Sequence, residues 1–260
     1  MPDVFKRFET DIGRWYRTDE AVAEYEAAAE LKDAEPALLA RMRAEGLEQG
    51  ALLDVGVGGG RTTVHFAPHA RTYVGVDYSP PLVEACRRRF ADSGWDHVHF
   101  EVADARDLAQ FEDGSFDFTL FSVNGIDAIA ELDDRLRALR ELHRVTRRDG
   151  LFAFSAHNLQ WAPSVMALRP APKDLARAVL LRALNGSPRR LADKEHAVLA
   201  EHRLGRRFGR HFFVRPREQV RQLESVGFRD VEVLGPDGTA LTAEQAARHV
   251  RHWCYYVCRA

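Results

Sequence analysis

Apolar and polar residues alternate along the chain in two rhythms. Short apolar runs come first, at Leu52, Leu53 and Val55 around Asp54, then at Thr72-Tyr-Val-Gly-Val-Asp77 and His97-Val-His-Phe-Glu-Val102. Phe118-Thr-Leu-Phe-Ser122 and Leu151-Phe-Ala-Phe154 continue the series. Runs of this length, bounded by Gly, Asp or Pro, predict strands. Between them stand stretches with helical spacing, Val83 to Phe90 and the amphipathic Leu139 to Val145. Five strands alternating with helices predict a parallel sheet covered on both faces. Farther on, Pro216 to Val226 predicts a helix with Gly227 as its C-terminal cap. Phe228 to Leu234 then predicts a sixth strand and Trp253 to Cys258 a seventh.

Two regions fall outside this alternation. The leader, residues 1–48, is acidic and rich in helix formers from Glu20 to Glu30. Pro36 opens a second helix there, with Leu38, Leu39 and Met42 on one face, ended near Gly46. A second excursion, residues 158–210, follows the fifth strand. It predicts a helix at Asp174 to Leu184, a turn at Asn185-Gly-Ser-Pro188 and a further helix around Lys194 to Leu204. An insertion at the carboxyl edge of an α/β sheet is placed to cover a ligand, because ligands bind at that edge. Residues 49–157 and 211–260 then form the two parts of the core.

The chemistry concentrates at Ala51-Leu-Leu-Asp-Val-Gly-Val-Gly-Gly-Gly-Arg61, a strand emptying into a glycine turn that opens a helix. Asp77 ends the next strand about twenty residues beyond the glycines, where α/β nucleotide folds place a carboxylate on a ribose. A dinucleotide fingerprint requires its third glycine at position 61, which is Arg61; the glycine comes one residue early, as Gly60. The Gly56-x-Gly58-x-Gly60 turn resembles motif I of the class I S-adenosylmethionine-dependent methyltransferases. Tyr78-Ser-Pro-Pro-Leu82 resembles the family's acid-x-Ser-x-x-Met/Leu segment, and Ala103-Asp104-Ala105 its Gly-Asp-Ala motif, with Ala103 departing from Gly. Gly114-Ser-Phe-Asp117 before the fourth strand fits as well. The resemblance covers roughly residues 50–157 closely.

That resemblance implies a seven-stranded, doubly wound, Rossmann-like α/β sheet of order 3-2-1-4-5-7-6 with strand 7 antiparallel, carrying a helical leader and an inserted helical lid. It implies S-adenosylmethionine as cofactor and S-adenosylhomocysteine as product. Asp77 is expected on the ribose hydroxyls, Tyr78 and Leu82 beside the adenine, and Asp104 and Ala105 at its edge. Asp54, Gly56, Val57, Gly58 and Ser122 complete the expected cofactor set. Tyr16 is expected to close over the cofactor's methionine end, with packing against the sheet as the alternative for both Tyr16 and Tyr25.

Composition fits a single soluble enzyme in the cytoplasm. The 260 residues carry a formal net charge of −2, which leaves no global basic field for nucleic acid. Cys86, Cys254 and Cys258 show no metal spacing and read as reduced core residues. No apolar run approaches the roughly 18 residues of a membrane span. Residues 169–217 hold 13 Lys/Arg against 4 Asp/Glu, which points either to an anionic acceptor or to a solvated arginine face. Trp161, Met166 and Leu168 line an acceptor pocket or anchor the insertion.

Methyl transfer needs the nucleophile close and collinear, and water excluded. His157, at the end of the fifth strand, is the candidate base, with orientation of the acceptor as the alternative role. Asn124, after the fourth strand, is the candidate hydrogen-bonding partner of acceptor or cofactor. Asp127, Glu131, Asp133 and Asp134 suggest the solvated start of a helix, and no metal is expected. The loop Ser122-Val-Asn-Gly125 lacks the Asn/Asp-Pro-Pro-aromatic motif of methyltransferases acting on base amines or glutamine amides, and no paired-glutamate loop is present. A small-molecule acceptor methylated on nitrogen or oxygen is therefore expected. An NAD(P)-dependent oxidoreductase, or a nucleic-acid or protein methyltransferase, is the alternative. Oligomeric state is not legible.

Overall fold

The computed structural model describes residues 14–166, 175–202 and 208–260. The leader supplies helices α1 (Asp19–Ala27) and α2 (Glu35–Ala44). The Thr18 side chain caps α1 by accepting from the Ala21 amide. Pro36, at the start of α2, forfeits no hydrogen bond there. Leu38 and Met42 are fully buried against the sheet, so the leader completes the core rather than trailing from it.

The core then runs β1 (Ala51–Val55), α3 (Thr63–Phe66), β2 (Thr72–Asp77), α4 (Pro80–Phe90), β3 (Val98–Val102), β4 (Phe116–Phe121), α5 (Leu132–Val145) and β5 (Thr146–Asn158). The insertion holds α6 (Trp161–Val165), α7 (Leu175–Asn185), α8 (Arg189–Ala192), β6 (His196–His202) and β7 (Phe208–Val214). The chain closes with α9 (Pro216–Ser225), β8 (Arg229–Leu234), β9 (Ala240–Leu241), α10 (Ala243–Arg248) and β10 (Trp253–Arg259).

The main sheet has the order β3-β2-β1-β4-β5-β10-β8-β9. Strand β10 is antiparallel to both neighbours, with Tyr255 opposite Ser155 on β5 and Leu234 on β8. This is the expected 3-2-1-4-5-7-6 arrangement, extended at one edge by the two residues of β9. Side chains alternate across the sheet into two cores. One holds Phe152, Phe154, Tyr256 and Cys258, and the other holds Leu52, Tyr73, Leu120 and Tyr255 with the leader's Leu38 and Met42. Cys254 and Cys258 both enter the first core, and all three cysteines are free and buried.

The insertion departs from the helical expectation. Residues His196–His202 form a strand, paired antiparallel along their whole length with β7, from His196 opposite Val214 to His202 opposite Phe208. Strand β7 in turn joins β5 in parallel at His157 opposite Phe213 and Asn158 opposite Val214. The stretch His-Ala-Val-Leu-Ala-Glu-His has no strong preference of its own, so available backbone partners on β7 decide its state. Trp161, Met166, Leu181, Leu191, Leu199 and Phe213 make a small core inside the insertion. Trp161 and Met166 thus anchor the insertion; Leu168 lies outside the described residues.

Candidate active site

A cavity of about 480 Å³ opens at the carboxyl ends of β1, β2 and β4. Its floor is the glycine turn, Gly56, Val57 and Gly58; one wall is Asp77, Tyr78 and Leu82, another Asp104 to Arg106, and a third the segment from Phe121 to Asp134. The leader covers it with Tyr16, Arg17, Glu24, Tyr25 and Lys32.

The glycine turn is shaped by packing as much as by any ligand. Gly58 has φ +57°, and a Cβ there would lie 2.7 Å from the Tyr25 ring. A Cβ on Gly59 would lie 2.4 Å from the Tyr25 carbonyl carbon, so α1 rests directly on the turn. Arg89 ties the two together, donating from Nη1 to the carbonyls of Ala28 (3.1 Å) and Gly59 (2.7 Å). Because the obstacle at Gly59 is backbone, a methyl group there has no room to relax. Gly59→Ala is expected to lower stability by about 1–3 kcal/mol and to loosen the leader. Thermal unfolding followed by tryptophan fluorescence checks this; an unchanged midpoint would mean that α1 does not sit on the turn in solution.

Asp77 is nearly inaccessible, and its two oxygens accept the amides of Gly58 (3.0 Å) and Ser79 (2.9 Å). Burial pushes its carboxyl up to about 6, against the opposing pull of those two hydrogen bonds. Each oxygen keeps a lone pair for a further donor. Tyr78 lines the cavity beside it, and its buried Oη has no hydrogen-bond partner among the described residues. The Tyr16 ring stands edge-on to Tyr78 with centroids 6.1 Å apart. Asp104 and Ala105 follow β3 on the facing wall.

Four of the expected residues, Asp54, Ser122, Asn124 and His157, stand elsewhere or are already engaged. Asp54 does not line the cavity: its buried carboxylate accepts hydrogen bonds from the Thr62 hydroxyl and from Tyr73 Oη at 2.5 Å. It fastens the helix after the glycine turn to the neighbouring strand, and burial raises its pKa to about 6. Ser122 lines the cavity, but its hydroxyl donates to Glu35 of the leader. Asn124 is buried in a left-handed conformation (φ 56°), its amide donating to Ser155 Oγ at 2.8 Å while its Oδ1 has no partner among the described residues.

His157 is not among the residues that line the cavity; it is held by Asp127 of the 3-10 turn Gly125–Ala128. Its Nδ1 is 2.8 Å from Asp127 Oδ2, the same oxygen that accepts its backbone amide at 2.6 Å. Asp127 Oδ1 accepts Arg135 Nη1 at 2.7 Å, and Arg135 Nη2 donates to Gln219 at 2.6 Å. Asp127, Arg135 and Gln219 have no solvent exposure. The imidazole is otherwise packed against the rings of His211, Phe213 and His252, with centroids 4.7–5.1 Å away.

Two features of the site carry no local sequence signal. Arg61, which breaks the dinucleotide spacing, places Nη1 and Nη2 at 2.5 and 2.7 Å from the fully buried carboxylate of Glu35. This pair locks α2 to the glycine turn across 26 residues of sequence. The second feature is the bridge from Arg106 to Asp104 and Asp134. A basic residue after the Asp-Ala pair was visible in the sequence, but its partner on α5 was not.

Residues 53–154, from the first strand to the fifth, match the family model described as a methyltransferase domain. Over that segment the core is similar to a methyltransferase domain. Among curated relatives, an uncharacterized methyltransferase of Bacillus subtilis is 32% identical over 106 residues, 41% of this chain and 40% of that protein. A ubiquinone/menaquinone biosynthesis C-methyltransferase of Citrifermentans bemidjiense is 31% identical over 142 residues, 52% of this chain and 54% of that protein. The chain therefore spans about half the length, or less, of these relatives. The same fold occurs in the DhpI–SAM–HEP complex (TM-score 0.60, 20% identity, 95% of each chain covered). It occurs too in a Clostridium acetobutylicum methyltransferase (TM-score 0.60, 13% identity, 90% and 93% covered).

The cavity fits S-adenosylmethionine, the cofactor that the sequence resemblance implies. An adenosyl group carries two ribose hydroxyls to donate, which Asp77 has the free lone pairs to accept. A flat base has Tyr78 and Leu82 to lie against, and the orphaned Tyr78 hydroxyl is open to a polar group of a ligand. Among the described residues no group of three or more His, Cys, Asp or Glu is placed to hold a metal ion. None of their helices is long and apolar enough to cross a membrane.

Proposed function

We propose that the protein transfers a methyl group from S-adenosylmethionine to a small-molecule acceptor by in-line displacement. The observation that carries this reading is the cavity in which Asp77, Tyr78, Leu82, Asp104 and Ala105 meet the glycine turn under a leader lid. In this reading Asp77 accepts the ribose hydroxyls, and Tyr78 and Leu82 sandwich the base. Asp104 and the Ala105 amide read its edge, and the backbone of Gly56, Val57 and Gly58 carries the methionine portion. Tyr16 covers the cofactor from the leader. The bound sulfonium supplies the activated leaving group; the chain orients the acceptor and keeps water out. Asp54 supports the turn from behind, and Ser122 orders the leader through Glu35 rather than touching the cofactor.

Acceptor recognition falls to the segment Val123–Asp134 and the insertion beyond it. The Citrifermentans bemidjiense relative is named a C-methyltransferase, so to the oxygen or nitrogen that the sequence suggests this proposal adds a carbon activated by a neighbouring hydroxyl. A hydroxyl or such a carbon gives up a proton. His157 does not line the cavity, so the role proposed for it is to position the segment Gly125–Ala128 through its contacts with Asp127. Asn124 Oδ1 is the partner proposed for the acceptor's own donor. The arginine excess of the insertion favours an acidic acceptor.

The test is a calorimetric titration of the purified protein with S-adenosylmethionine, S-adenosylhomocysteine and NADH in parallel. Micromolar binding of the two adenosyl compounds with silence from NADH is the expected result. The opposite pattern would overturn the reading in favour of an oxidoreductase.

A further inference from the structure

We infer that Arg106 is a positioning residue that makes the cofactor site selective for a 6-amino purine over a 6-keto purine. The inference rests on the proposed reading of the cavity as an S-adenosylmethionine site. Arg106, Asp104 and Asp134 all line that cavity, and their side chains are only 14%, 17% and 28% exposed.

The guanidinium holds Asp104 in a planar fork, Nε to Oδ1 at 2.9 Å and Nη2 to Oδ2 at 2.5 Å. The Arg106 amide adds a third bond to Oδ1 at 2.9 Å. A carboxylate has about four acceptor positions, two on each oxygen. Oδ1 therefore has both of its positions filled, and Oδ2 has one filled and one left. The fork fixes the plane of the carboxylate, so the direction of that remaining lone pair is fixed too. A single oriented acceptor at the edge of the cavity matches one N–H of an exocyclic amine. The carbonyl of a 6-keto purine would present a lone pair to the same oxygen and be repelled.

The remaining arm of the guanidinium sets the depth of the slot. Arg106 Nη1 donates to Asp134 Oδ2 at 3.0 Å, so one rigid group spans from the loop after β3 to the first turn of α5. Both segments line the cavity. A lysine, with one point charge on a flexible stem, cannot hold both carboxylates in one plane.

The experiment compares S-adenosylhomocysteine with its deaminated analogue, S-inosylhomocysteine, by calorimetry on the full chain. The wild-type protein is expected to prefer the adenosyl compound by roughly 100-fold, the worth of a hydrogen bond to a charged acceptor. Arg106→Leu is expected to weaken the adenosyl compound about 10-fold and to shrink the preference to a few-fold, with Arg106→Lys in between. Asp134→Asn, which spares the fork, is expected to weaken both ligands while keeping most of the preference. Thermal unfolding of each variant shows that it is folded before titration. If the Arg106 variants lose affinity for both ligands equally and the preference survives, Arg106 is merely structural and the inference fails. If the wild-type protein binds neither ligand, the cofactor reading itself fails, which is a separate outcome.

Discussion

Asp127→Ala is expected to lower the melting temperature by about 10 °C. Asp127 and Arg135 have no solvent exposure and share a 2.7 Å ion pair, and Asp127 also takes the backbone amide and Nδ1 of His157. Removing the carboxylate leaves a guanidinium buried with Gln219, the Ile126 carbonyl and the face of Phe212 as its remaining neighbours. Breaking one side of a buried pair costs about 3–5 kcal/mol. In a protein of this size each kcal/mol shifts the midpoint by about 2–4 °C. Thermal unfolding by circular dichroism reads the effect. The double variant Asp127→Asn/Arg135→Met, with no charge left to bury, should recover most of the loss. A single-variant shift below about 3 °C would mean that the pair is hydrated in solution.

Asp77→Ala should weaken S-adenosylhomocysteine binding by on the order of 100-fold, because two hydrogen bonds to a charged acceptor disappear together. The wild-type affinity should also depend on pH. Burial raises the Asp77 carboxyl to about 6 from an ordinary 3.8, so the free protein holds this proton where the unfolded chain has lost it. Ribose hydroxyls donate more strongly to the ionised form, in which both oxygens act only as acceptors. Binding should therefore weaken as pH falls below about 6 and level off above it. Asp77→Asn should abolish that slope. Stability moves the other way: the folded state binds more protons between about pH 4 and 6, so stability from Asp77 and Asp54 declines as pH rises through that window. Linkage allows up to about 3 kcal/mol for each. An affinity that is flat from pH 5 to 8 would show that Asp77 does not meet the ribose.

Strands β1 to β5, β8 and β10, their alternation with helices and the glycine turn with its trailing acids are legible in the sequence. Each is written in neighbouring residues: apolar runs of strand length, glycines at fixed offsets, an acid at the end of β2. The same local grammar placed Asp77, Tyr78, Leu82, Asp104 and Ala105, all of which line one cavity. Tertiary structure decided what depends on partners distant in the chain. Asp54 reads like a ligand-binding acid, yet Thr62 and Tyr73 claim it. Ser122 faces the cavity but belongs to Glu35, 87 residues earlier. His196–His202 became a strand because β7 offered it a hydrogen-bonding edge. Arg135 on α5 is fully buried, because Asp127 and Gln219 surround it. A periodic pattern records which face of an element is apolar. Which polar group meets which is settled only when the elements close on one another.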